Sequence, residues 1–222
     1  MNVPTMNTEL ARRNMIDCQI RPWEVLETRV LDAFAAVPRD QFVPNAYRSL
    51  AYADFTIPLG HGETMMAPRV EGRMLQALAT KPSDRALEIG TGSGFVAALL
   101  GQLSQQVVSI DIHDQFVRDA RERLRIAAIA NVEVRVADGA TGYLVDGPYD
   151  VVAVTGSLGF FEPRLLDMLT IGGRMFVVIG SAPAMDAVLI TKLSDRKWSQ
   201  QPLFETVLTP LRNAPRRETF QF

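Results

Sequence analysis

The sequence is poor in several things at once. Among its 222 residues there is one cysteine, Cys18. A disulfide within the chain is therefore excluded, which fits a reducing compartment. Histidine occurs twice, at His61 and His113. Two histidines and a cysteine this far apart offer no metal-ligand spacing, so no metal is expected. Lysine is scarce, with only Lys81, Lys192 and Lys197 among 23 basic residues. That arginine bias is read as genomic composition. The formal net charge is only −2, so no global field draws the chain to nucleic acid. No apolar run approaches the ~20 residues that a spanning helix needs. The first residues, "MNVPTMNTELARRNM", lack the basic-then-apolar order of a signal peptide. The expectation is a cytoplasmic protein with neither a membrane nor a nucleic-acid partner.

What is present is enough for one large domain. The hydrophobic fraction is 47% and the charged fraction 22%, which suits a chain that buries a core. Residues 8–16 read as a short helix with Thr8 as N-cap, and 24–36 as a second helix. Pro38 and Pro44 bracket "RDQFV" and break any long helix there. A Gly/Pro-rich loop over 51–67 leads to Pro68, well placed to start a helix over 68–79. From residue 85 short apolar strands alternate with helices: "RALEIG", "SGFVAALLGQL", "QVVSIDI", "DQFVRDARERLRIAAI", "VEVRVA", "YDVVAVTG", "EPRLLDML" and "GRMFVVIG". That alternation predicts a Rossmann-like, doubly wound, mostly parallel α/β sheet. "AVLITKL" and "ETVLTPL" are expected as two further strands at its edge. Residues 1–80 read as a helical N-terminal extension with an acceptor-site loop. Residues 81–222 read as the cofactor domain, the two forming one structural unit.

The informative stretch is "LEIGTGSGF", 87–95. It follows a strand and opens a helix, where a ligand meets a helix N-terminus. Gly90, Gly92 and Gly94, with Thr91 and Ser93 between them, are spaced G-x-G-x-G, not the dinucleotide G-x-G-x-x-G. Charge helps to decide. Glu88 stands two residues before Gly90 and would repel a pyrophosphate. It suits a phosphate-free cofactor with a cationic amino-acid end, S-adenosylmethionine (SAM). Asp111 ends the next strand, beside Ile112, where a carboxylate can accept from both ribose hydroxyls. Asp138 and Gly139 follow the third strand, where an adenine would lie. Alone, Asp111 reads equally well as the cap of the helix near Asp114, and Asp138 as a turn residue.

With these motifs goes a resemblance to the protein-L-isoaspartate O-methyltransferase family. It is carried by "VPRDQFVP" (37–44), "AYADFTIPLGHGETMMAP" (51–68), the glycine loop, "VADG" (136–139), "PYDVVAVTG" (148–156), "LTIGGRMFVVIG" (169–180) and "VLTPL" (207–211), over roughly residues 20–212. The resemblance implies SAM as cofactor and methylation of isoaspartyl carboxylates in damaged proteins or peptides, which starts their repair. It also implies an acceptor loop of the form Thr-x-Ser-x-Pro. Here that loop is Thr64-Met65-Met66-Ala67-Pro68, so Met66 stands where the family has its serine. A thioether cannot donate a hydrogen bond to a carboxylate.

Met66 therefore reads either as a reshaped acceptor pocket or as core packing under the loop. Thr155 and Ser157 offer hydroxyls at the end of the fourth strand, and His61 reads as a solvated loop residue. Arg212, Arg216 and Arg217 could attract an acidic partner. "DGPYD" (146–150) precedes its strand, whereas the similar loop of base methyltransferases follows it. Three functions remain in view. They are an isoaspartyl carboxyl methyltransferase, a methyltransferase of the same fold acting on another peptide or a small molecule, and a non-catalytic SAM-binding module.

Overall fold

The computed structural model describes residues 7–143 and 146–215. Helix α1 spans Thr8–Met15. Its cap is Asn7, whose side chain accepts from the Leu10 amide, so Thr8 lies inside the helix instead. A π-helical turn, Ile16–Ile20, and a 3-10 turn, Arg21–Trp23, follow. Helix α2 covers Thr28–Ala36 and starts later than the apolar spacing suggests. The reason is local. Glu24 sits at φ 62, and the amides of Leu26 and Glu27 donate to the Gln76 side chain. Those amides are thus satisfied by a neighbouring helix, not by winding.

The stretch before Pro68 is more ordered than its composition suggests. Strands β1 (Ile57–Gly60) and β2 (Glu63–Met65) form an antiparallel hairpin. Its two-residue turn is His61-Gly62, both at positive φ, the twist that short hairpins favour. Helix α3, Pro68–Leu78, begins at its proline.

Then come β3 (Arg85–Ile89), α4 (Phe95–Leu103), β4 (Gln106–Asp111), α5 (Asp114–Ile126), β5 (Val132–Val136), β6 (Tyr149–Leu158), β7 (Leu169–Ser181), β8 (Ala184–Ser194) and β9 (Lys197–Glu205). The last seven strands form one sheet in the order β5-β4-β3-β6-β7-β8-β9. The first five in that order run parallel, and β8 and β9 are antiparallel. The central strands are buried almost throughout, as expected of a sheet covered on both faces.

Two expectations fail here. "EPRLLDML" is a single 3-10 stretch, Pro163–Met168, not an α-helix. It begins at a proline, and by Leu169 the chain is already paired in β7. "ETVLTPL" is not a strand. β9 ends at Glu205, and beyond it only Pro210 makes a bridge, to Ser157. A proline has no N–H with which to extend a ladder. Residues 206–213 instead cross the carboxyl end of the sheet as a strap.

One hydrophobic cluster joins the N-terminal helices to the sheet. Phe34 and Phe42 meet Phe95 with ring centroids 6.0 and 5.6 Å apart, and Met74, Leu99, Val151 and Phe176 belong to the same cluster. Among the described residues no helix is long and apolar enough to cross a membrane.

Candidate functional site

Sheet growth reverses at β3, with β4 and β5 on one side and β6 on the other. The crevice at the carboxyl ends of such strands is where open α/β sheets bind ligands. Two adjoining cavities open there.

The outer cleft has about 680 Å³ of empty space, its mouth included. Thr64, Gly90, Gly92, Asp111, Ile112, Asp138 and Gly139 all line it. Gly90 is at φ +100, and a Cβ there would lie 2.4 Å from Thr155 Oγ1. A Cβ on Gly139 would lie 2.6 Å from the Ile89 side chain. Bare backbone is therefore required at both places. The Asp111 carboxylate is fixed from two sides, accepting from the Gly92 amide at 2.8 Å and the His113 amide at 2.9 Å. Burial raises its pKa, against the pull of those two N–H groups. Asp138 accepts from the Ala140 amide and from Asn213 Nδ2, at 3.0 and 2.8 Å. The turn role foreseen for Asp138 is thus real, but Asp111 does not cap the next helix, whose cap residue is His113 with no side-chain bond to its first turn; both aspartates face the cleft.

The inner cavity has about 290 Å³ of empty space, its mouth included, and lies on the other side of the glycine loop. Met66, Glu88, Thr91 and Ser93 line it, together with Glu71 of α3. Thr91 Oγ1 is 2.6 Å from Ser109 Oγ, and Ser93 Oγ accepts from the Phe95 amide at 3.2 Å. Both hydroxyls therefore tie the loop to the protein. Glu88 is fully buried and accepts from Ser109 Oγ through one oxygen, while its Oε1 has no partner. Burial pushes its pKa well above the carboxylate range, and the nearby Asp111 and Glu71 push it further. Gly94 lines neither cavity. A Cβ there would meet the Ala120 side chain at 2.9 Å, so this glycine lets α4 start against α5.

The two hydroxyls expected to face an acceptor are already used. Thr155 Oγ1 donates to the Gly90 carbonyl at 2.6 Å, and buried Ser157 Oγ donates to the Leu208 carbonyl at 3.0 Å. His61 is exposed at the hairpin tip, yet it is not simply solvated. Its ring stacks on His113 at 4.5 Å, and both rings meet Phe116 edge-on.

Three features escaped the sequence reading. Arg39, in the "RDQFV" segment, is fully buried. It donates to Glu71, to the Met66 carbonyl at 2.6 Å and to the Ala51 carbonyl at 2.9 Å. Glu71, its carboxylate partner, is pushed up by burial to about 7 in spite of that pairing. The third is the strap. Its Thr209 Oγ1 lies 3.3 Å from Thr64 Oγ1, and Arg212 Nε reaches Glu63 at 3.0 Å. Arg212 also donates to the His61 carbonyl. Arg216 and Arg217 lie outside the described residues.

A parallel sheet in this order, with a glycine loop after its central strand and carboxylates after the next two, defines a Rossmann-like fold of the methyltransferase class. A solved structure described as a putative protein-L-isoaspartate O-methyltransferase from Plasmodium falciparum, in complex with S-adenosyl-L-homocysteine, has this fold. Its TM-score is 0.79 at 19% identity, over 94% of this chain and 99% of that one. The family follows from sequence. The model of the protein-L-isoaspartate(D-aspartate) O-methyltransferase (PCMT) family matches residues 11–215, and the chain belongs to that family. Curated relatives named protein-L-isoaspartate O-methyltransferase include one from Koribacter versatilis, 37% identical over 91% of this chain and 90% of its own length. Another, from Marinobacter nauticus, is 35% identical over 95% and 97%.

Proposed function

We propose that this chain is a SAM-dependent carboxyl O-methyltransferase that acts on L-isoaspartyl residues of damaged proteins, in the cytoplasm. The observation that carries this reading is the cleft itself, which gathers a glycine-rich loop and two fixed aspartates at the switch point of a family-typical sheet. The residues fit the cofactor on three counts. Gly90 and Gly139 line the cleft and present only backbone to a ligand there. Asp111 and Asp138 face the cleft with lone pairs to spare, for ribose and adenine. Glu88 holds an orphan buried oxygen, which a cationic group would satisfy.

When bound, SAM supplies a methyl group already activated by its sulfonium. The protein's part is to bind, align and keep out water. The acceptor carboxylate is already a nucleophile, so the barrier falls chiefly through alignment within about 3–3.5 Å and exclusion of solvent. The hairpin and strap supply the walls, with Thr64 and Thr209 meeting across them. Transfer of radiolabelled methyl from SAM to an isoaspartyl peptide tests this, with the aspartyl peptide as control. No transfer by a chain that binds S-adenosylhomocysteine would refute the acceptor.

One observation favours a second reading, in which the acceptor is a different peptide or a small molecule. Met66 is 4% exposed, and it presents a thioether where the family places a hydroxyl. A methionine adapts well to an apolar ligand. Screening methyl transfer to a metabolite panel separates this from a non-catalytic SAM-binding module, which would transfer to nothing.

A further inference from the structure

The inner cavity contains an imbalance that the outer cleft does not. Glu71 and Glu88 come from different elements, α3 and β3, and both line this one small space. Each is buried, at 1% and 0% exposure, and each keeps one oxygen, Oε1, with no hydrogen-bond partner among the described residues. The charged groups around them are few. Arg39 faces Glu71, while Glu88 feels Asp111 and Glu71. Among the described residues Arg39 is the one cation facing these carboxyls, and burial disfavours the ionised form of both glutamates. Buried carboxylate oxygens without a partner are costly, and a ligand that supplies donors would complete them.

We propose that Glu71 is a binding residue for the cofactor, forming with Glu88 a two-carboxylate receptor for the primary ammonium of its amino-acid end. This rests on the SAM reading above and adds a residue that lies outside the glycine loop, on the helix that follows the acceptor hairpin. An ammonium has three N–H donors and no acceptor, so it matches two orphan oxygens. It also carries the charge that this cavity lacks. The arrangement ties the cofactor's amino-acid end to α3, and through Met66 and Arg39 to the acceptor loop.

The test uses calorimetry on the whole chain with two probes. S-adenosylhomocysteine carries the ammonium; 5′-methylthioadenosine keeps the nucleoside thioether and lacks the amino-acid end. Glu71→Gln should weaken S-adenosylhomocysteine roughly ten- to a hundredfold, the effect of one charge-assisted hydrogen bond, and leave methylthioadenosine within about twofold. Equal losses for both probes, or no loss for either, would overturn the proposal. A second measurement does not depend on that variant folding. At pH 7 the entering ammonium favours the ionised carboxyls, so S-adenosylhomocysteine should release protons, read by comparing buffers of different ionisation enthalpy. Methylthioadenosine should release none. Glu88→Gln, which keeps an acceptor for Ser109, should still show release from Glu71, and its abolition there would remove Glu71 from the site. If neither probe binds, the SAM reading itself fails, and this proposal with it.

Discussion

The two cavities on either side of the glycine loop hold the same kind of group in opposite conditions. In the outer cleft, Asp111 and Asp138 each take two hydrogen bonds, three of the four from backbone amides. In the inner cavity, Glu71 and Glu88 each leave an oxygen bare. Backbone donors cost nothing to orient, so the outer carboxylates are set in place before any ligand arrives. The inner ones are held by side chains, Arg39 and Ser109, and each keeps an oxygen that no protein group among the described residues reaches. The outer wall is thus built for geometry, and the inner wall for charge.

That contrast can be broken most forcefully at Arg39. Arg39→Met leaves Glu71 buried with no counter-ion, and stability should fall by roughly 3–5 kcal/mol in chemical denaturation. Arg39→Met combined with Glu71→Met should recover most of the loss; a double variant no better than the single would show that Arg39 acts through its carbonyl contacts instead. On the outer side, Asp111→Ala should weaken S-adenosylhomocysteine by about 1.5–3 kcal/mol for each ribose hydrogen bond removed. Unchanged affinity in a folded variant would end the ribose assignment.

The inner wall should also make stability depend on pH. Glu71 is raised from 4.5 to about 7, and Glu88 and Asp111 are shifted the same way. A raised pKa means that the folded state holds its proton longer than the unfolded chain. The stability this contributes is complete below about pH 4.5 and is lost as pH climbs through about 7, worth up to ~3 kcal/mol for Glu71. Melting temperature measured from pH 5 to 8 should therefore fall, and fall less steeply in Glu71→Gln. A flat or rising profile would mean that the Arg39 pairing outweighs burial.

Met66→Ser sharpens the comparison from within the inner cavity, which Met66 lines. If the site takes an isoaspartyl carboxylate, restoring a hydroxyl should raise methyl transfer ten- to a hundredfold, the effect of one hydrogen bond to a charged group. If Met66 is chiefly core, as its membership of the main hydrophobic cluster allows, stability should drop by a few kcal/mol with no gain in rate. The smallest expected effect is on nucleic acid, for which no submicromolar, salt-dependent RNA affinity should be found at physiological ionic strength.

Much of this molecule was legible in its sequence because its signals are local and periodic. The strand–loop–helix unit around Gly90, the helix opened by Pro68 and the carboxylates after β4 and β5 all announce themselves within a dozen residues. What stayed hidden depends on distance along the chain. Nothing near Arg39 says that its partner is Glu71, and "RDQFV" read only as a break between two prolines. The strap reads as a strand because Val207, Leu208 and Leu211 give an apolar run, whereas the structure pairs it with β6 only at the Ser157–Pro210 bridge. Thr155 and Ser157 have the right chemistry for a site, and only the structure shows that their hydroxyls are already bonded to carbonyls.

The strap is anchored to β6 largely by main-chain atoms. The Ser157 amide donates to the Thr209 carbonyl at 3.0 Å, and the Leu211 amide to the Ser157 carbonyl at 2.9 Å. Neither bond reads the identity of the side chains at Leu208, Thr209 or Leu211, three of the residues that wall the outer cleft. Path and lining are therefore separable. A substitution at Thr209 can redraw that wall of the cleft while these two bonds hold the chain on its course.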